Sequence, residues 1–121
     1  MGFVLIPWTV EAQRFKWWHS AEVQSVLRLT PNQVAALERV FDASVPERRA
    51  LLAAFDKCEN DLQQLLKEAN PDERVAVELI DRLEEMRARR NVARATLLLR
   101  MRRILTPAQR TALGTLAAQR H

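Results

Sequence analysis

From Val34 onward the apolar residues keep to a seven-residue repeat. Val34, Leu37, Phe41, Leu51, Phe55, Cys58, Leu62, Leu65 and Ala69 share one line, and Ser44 and Arg48 take two of its places. A stripe this narrow is the mark of a helix that packs against a second long helix. Pro46 lies between the two polar places. Proline removes a helical hydrogen bond and clashes with the carbonyl four residues back. Ser44-Val45-Pro46-Glu47 also reads as a fresh capping box, so a short break and a restart are expected there. Ala69-Asn70-Pro71-Asp72 punctuates the chain next, with Asn70 suited to a left-handed cap and Pro71 to the first position of a new helix. A second stripe, Ala76, Leu79, Ile80, Leu83, Met86, Ala93, Leu97, Leu98 and Met101, then predicts a helix over 72–104, interrupted at Arg90. A two-residue connection makes the pair antiparallel, placing residue 70−k beside residue 70+k and Arg48 near Arg90 and Val92.

Shorter helices flank this hairpin. Val23, Val26 and Leu27 give an apolar edge to a helix from His19 or Ser20 to Arg28, and Leu113 and Leu116 do the same for one from Thr106 to about Arg120. Trp17 and Trp18, just before the first, are read as packing residues that pin it over one end of the core. The fold class is therefore all-α: a long antiparallel helical hairpin with short flanking helices. Residues 19–121 form a single helical domain. Leu51-Leu52, Leu65-Leu66 and Leu97-Leu98-Leu99 widen the stripe beyond what one partner helix covers, which calls for a homodimer or a face that binds other proteins.

Both long helices are bracketed by a repeated start signal. Leu29-Thr30-Pro31-Asn32-Gln33 returns 76 positions later as Leu105-Thr106-Pro107-Ala108-Gln109. In each, Thr can cap the first turn, Pro occupies a position that needs no N–H, and Gln can reach back to the Thr N–H to complete a capping box. Leu29 can staple onto Val34. Arg110 stands at the matching place of the second copy, whose capping is expected to be less complete.

Charge changes the picture more than composition does. Residues 1–85 carry 10 Lys/Arg and 15 Asp/Glu, whereas residues 86–121 carry nine Arg and no acid. The C-terminal third is thus a cationic surface in which Arg87, Arg89, Arg90, Arg94, Arg100, Arg102 and Arg103 are interleaved with Leu97, Leu98, Leu99 and Met101. Arginine suits a binding face of this sort because its stem packs on apolar surface while its head stays wet. Nucleic acid would also accept it, but no known motif and no interleaved aromatics accompany the arginines, so a nucleic-acid-binding helical protein is only the third reading. No Gly-rich phosphate loop and no nucleophile with a histidine partner is found, so neither an enzyme nor a cofactor or small-molecule substrate is expected. Cys58 sits on the seam and reads as a small core residue. Residues 1–18 read as an N-terminal extension. Its apolar run Phe3–Trp8 is too short to span a bilayer or to be a whole signal peptide, and suits the remnant of an export signal or of a membrane anchor.

The paired Leu-Thr-Pro-x-Gln motifs, the Pro46-Glu47-Arg48-Arg49 at the interruption and the run Arg102–Arg110 together resemble the bacterial periplasmic Spy/CpxP family and its relatives among heavy-metal resistance sensors of the CnrX type. The resemblance runs from about Trp17 to Arg120. It implies a periplasmic, cradle-shaped antiparallel homodimer that acts as an ATP-independent chaperone or as a modulator of envelope stress. Its partners would be unfolded or misfolded clients, or a membrane sensor protein. The client- or partner-binding residues then expected are Arg87, Arg89, Arg90, Arg94, Leu98 and Arg102, with Leu29, Thr30, Pro31, Gln33, Leu105, Thr106, Pro107 and Gln109 as structural caps. The alternative, a membrane-tethered sensor, resembles a site with two His one turn apart near the N-terminus and a His and a Met one turn apart on the later long helix. Here His19 is followed by Val23, and Met101 is preceded by Leu97. Half the donors are absent, leaving His19 and Met101 as weak candidates and no metal site expected.

Overall fold

The structure is a computed structural model that describes residues 16–119. The run Phe3–Trp8, the rest of the extension before Lys16, Arg120 and His121 lie outside the described residues. A 3-10 turn at Trp17–His19 leads into helices α1 (Ala21–Leu27), α2 (Pro31–Leu66), α3 (Glu73–Ile104) and α4 (Pro107–Gln119). No strand occurs among the described residues. The long pair α2 and α3 packs as a hairpin. Two compact units divide the chain. Of the described residues, one holds 16–43 and 96–119, and the other holds Ser44–Ala95.

In the Ser44–Ala95 unit, Phe55, Cys58 and Leu83 form a buried cluster against which Leu79 and Met86 pack. The Cys58 thiol reaches the Leu79 carbonyl at 3.4 Å. These pairings fall close to the register predicted by folding the chain at Asn70. Cys58 is buried, as a small core residue.

Three local expectations are corrected. Pro46 neither breaks nor restarts the helix: α2 runs without interruption from Pro31 to Leu66 with Pro46 inside it. Ser44 does not open a new helix. Its hydroxyl accepts a hydrogen bond from Arg48 Nε one turn on, at 3.0 Å. The connection is also longer than two residues, because α2 stops at Leu66 and α3 starts at Glu73. Lys67 and Glu68 donate to Gln64 and Leu65, bonds that tighten the last turn into 3-10 geometry. Finally, the cap of α3 is Asp72 rather than Asn70-Pro71. Its Oδ1 accepts from the Arg74 N–H at 2.9 Å and its carbonyl from Ala76, an arrangement that a carboxylate beside a helix N-terminus favours.

In the other unit, Trp18, Leu37 and Met101 are fully buried, with Trp17, Val23, Leu27, Phe41, Leu97, Leu105, Leu113 and Leu116 close to it. The two Trp rings meet edge to face at 5.4 Å, and Trp18 leans on Phe41 at 5.2 Å. The tryptophans therefore pack in the core beneath α1, as their position predicts. Helix α1 starts on Ser20, whose hydroxyl accepts from Val23. It ends on Arg28, held left-handed at φ 55°. Arg28 and Leu29 donate back to Ser25 and Gln24, which closes a Schellman turn at a place usually given to glycine.

Candidate functional site

Both start signals fold into complete capping boxes. The Gln33 N–H donates to Thr30 Oγ1 at 3.1 Å while Thr30 N–H donates to Gln33 Oε1 at 3.0 Å. The same pair of bonds joins Gln109 and Thr106 at 3.2 and 2.8 Å. The second copy is no weaker than the first. In place of a staple, Arg110 Nη1 donates to the carbonyls of Arg102 and Leu105, which satisfies the end of α3 and sets a cation at its negative pole.

The boxes then meet. Gln33 Nε2 donates to Gln109 Oε1 at 2.7 Å, and Gln109 Nε2 donates to Gln33 Oε1 at 3.0 Å. Each amide also reaches the carbonyl five residues before the other glutamine: Gln33 to Ile104 at 3.1 Å and Gln109 to Arg28 at 3.4 Å, with Leu27 added at 3.0 Å. The two motifs are related by a local two-fold exchange of roles. A repeat in sequence signals two helix starts, but nothing in either copy signals that they join.

A second polar centre, which no sequence motif marks, is built on Glu38. Its Oε1 accepts from Trp18 Nε1 at 2.8 Å and lies 2.6 Å from His19 Nε2, and its Oε2 accepts from Lys16 Nζ. Lys16 also reaches Asp42 at 3.1 Å. The bond from Lys16, with those from Trp18 and His19, pulls the Glu38 carboxyl down to about 2. The hydrogen bonds to Glu38 and then to Asp42 raise the Lys16 ammonium above its ordinary value. The centre ties the 3-10 turn to α2. The three donors, Lys16, Trp18 and His19, are separated from Glu38 by the whole of α1, so no local pattern announces the centre.

The expected binding arginines on α3 are disposed unequally. Arg87 and Arg90 turn toward the core of their unit, their guanidinium carbons 5.3 and 4.8 Å from the centre of the Phe55 ring. Cations at this range are drawn to the ring face. Arg87 also meets Glu84 at 3.4 Å, and Arg89 meets Glu85 at 4.0 Å, both exposed pairs within one turn. Arg94 is half-buried and donates to Asn91 at 2.7 Å. Arg48, on α2 of the same unit, is partly buried, and burial pushes its pKa down. Leu98 is half-buried and Arg102 exposed, both on the stretch of α3 in the other unit. What the Ser44–Ala95 unit offers is therefore a pair of guanidinium groups fixed over an aromatic ring, with Arg94 one turn further along. Fixed guanidiniums can accept carboxylates or carbonyls in pairs, and their stems extend the apolar surface.

The weak metal candidates sit in different settings. His19 is largely exposed and engaged with Glu38, whereas Met101 is fully buried in the core. Among the described residues no three His, Cys, Asp or Glu side chains gather in a way that could hold a metal ion.

Compared with known proteins, the chain matches the family model described as "LTXXQ motif family protein" over residues 15–117. No curated protein and no solved structure matches it significantly.

Proposed function

From a chain that belongs to the LTXXQ motif family, a generally periplasmic family that includes Spy/CpxP-like and metal-resistance proteins, we propose a periplasmic binding protein that holds unfolding polypeptides without ATP. It acts by binding and not by catalysis. The observation that carries this reading is the stacking of Arg87 and Arg90 on Phe55. A client exposing mixed apolar and acidic segments needs a surface that is apolar and cationic at once, and it needs that surface without a deep pocket that would select one ligand. Guanidinium heads held over an aromatic ring supply both properties, and the lack of any acid after Glu85 keeps the region from repelling acidic segments. The pairing of Arg87 with Glu84 is exposed, so a client carboxylate can displace it at little cost.

The test is light scattering by an aggregating, denatured client with no nucleotide present, at low and high salt. Suppression that weakens as salt rises supports the reading, because exposed charges are screened. Replacing Arg87, Arg90 and Arg94 by Glu should leave the helical content unchanged and abolish suppression. Undiminished suppression by that variant would remove the arginines from the function.

A further inference from the structure

Within the Ser44–Ala95 unit, the residues that follow the seam share one side of the hairpin. Phe55 and Cys58 of α2 pack with Leu79 and Leu83 of α3, and Asp56, Glu59, Ile80 and Glu84 come directly after them in the chain. One step turns a helix by about 100°, and in an antiparallel pair that step swings both helices to the same side. Val77 lies one turn before Ile80 on this side, with Glu73 a turn before Val77 and Asp81 at its outer edge. Val77 and Ile80 are 47% and 44% exposed, and the five carboxylates are exposed. Among the described residues Asp56, Glu59, Glu73 and Asp81 form no ion pair. Arg74 and Arg82, on the same stretch of α3, fall roughly 120° or more round the helix from Ile80. The side turns cationic at Arg87, which follows Met86 and pairs with Glu84 at 3.4 Å.

We infer that this face, from Glu73 to Glu84 of α3 with Asp56 and Glu59 of α2 beside it, docks a short cationic amphipathic helix. Val77 and Ile80 stand in its middle with carboxylates on both sides. A helix whose apolar stripe is bordered by lysine or arginine is the complement of that pattern. Its stripe covers the two apolar side chains, and its cations meet carboxylates that have no other partner. The same charges repel acidic segments of the kind held at Arg87 and Arg90, so the two faces take opposite ligands. Two half-exposed side chains fall far short of the roughly 800 Å² that each partner of a specific protein–protein interface buries. That suits a short segment and not the broad surface of a folded domain. Among the described residues no three carboxylates gather closely enough to hold a metal ion, so the negative charge is spread along the face, as the cations of a helix are. The stretch covers roughly 17 Å, about three helical turns. Arg87, Arg90 and Arg94 are not part of it, so helix docking and client holding can be lost separately.

The experiment is fluorescence anisotropy of a labelled lysine–leucine peptide of about 18 residues, patterned as an amphipathic helix, titrated with the whole chain at low and high salt. The peptide should bind, and more weakly as salt rises. A peptide of the same composition with its pattern scrambled should bind roughly tenfold or more weakly. Val77→Ser/Ile80→Ser and Asp56→Asn/Glu59→Gln variants should each lose roughly tenfold or more in affinity, while their circular-dichroism melts and client suppression stay unchanged. Glu78→Gln, on the far side of α3, should bind as the parent chain does. Absence of binding would overturn the inference. Equal binding of the two peptides would reduce it to attraction between opposite charges, and full binding by the serine variant would place the peptide elsewhere; either result overturns it. So would a lower sedimentation coefficient for the serine variant alone, which would assign the face to a second copy of this chain.

Discussion

The side-chain amides of Gln33 and Gln109 donate to each other in both directions, at 2.7 and 3.0 Å, while each oxygen also receives the N–H of its own capping threonine. Few residues could stand in. The position needs an acceptor for the box and a donor for the crossing, and only an amide of this length has both.

That double demand separates the lock from an ordinary cap. Glutamate serves as well as glutamine in a simple capping box, and its charge suits a helix N-terminus. Here Gln109→Glu removes the donor to Gln33, Leu27 and Arg28, and should cost about 2 kcal/mol in urea unfolding. A neutral or stabilising outcome would show that the motif is a cap alone. In a cycle with Gln33→Ala and Gln109→Ala, the coupling should be favourable by about 1 kcal/mol or more.

Pro46 sits inside α2 without an N–H to give to the Asp42 carbonyl. It is exposed, so its ring contributes little to packing. Pro46→Ala should therefore raise stability by about 1–3 kcal/mol, read as a higher melting temperature. A fall would mean that the proline holds a bend on which the packing of α2 depends.

Arg28 stands in the left-handed region, where a Cβ is costly. Its carbonyl, not its side chain, serves the Gln109 amide. Arg28→Gly keeps that carbonyl and should stabilise the protein by roughly 1 kcal/mol, in contrast to glycine placed within any of the helices. Equal or lower stability by thermal melting would count against this.

Glu38 gives the fold an acid limb. Its carboxyl lies near 2 in the folded chain, against an ordinary 4.5, chiefly through the bond from Lys16 and then those from Trp18 and His19. A depressed folded value means stability that is present above about pH 4.5 and drains away as pH falls toward 2. Glu38→Gln should lower the melting temperature near neutrality and flatten its decline over that window. An unchanged decline would assign acid sensitivity to other carboxylates.

The helices, the antiparallel register and the role of Cys58 were legible in the spacing of apolar residues, because a seam that buries Phe55 and Leu83 must recur every three or four positions. Pro46 misled for a physical reason: the penalty of one proline is local, whereas the seam on either side of it, Phe41 before and Phe55 after, binds the helix to its neighbours for many turns. The connection was misplaced because Asn70-Pro71 is a strong signal and Asp72 a stronger cap. For the candidate site, the arginines were visible as a run. Their turning onto Phe55 was not, since an arginine one turn from an aromatic on another helix leaves no mark in either helix's own pattern. The Gln33–Gln109 junction and the Glu38 centre escaped for the same reason: each joins residues far apart in the chain, where no local periodicity applies.

The Gln33–Gln109 junction also acts on what lengths the hairpin can take. It ties α2 near its first turn to α3 at its last, and the Lys67–Asp72 connection ties their other ends. The two arms between these ties must stay matched. Insertions or deletions in one arm alone would pull the amides out of register, whereas equal changes of seven residues in both would keep seam and lock together. Relatives of this chain should therefore differ in arm length by paired heptads, leaving the two motifs untouched.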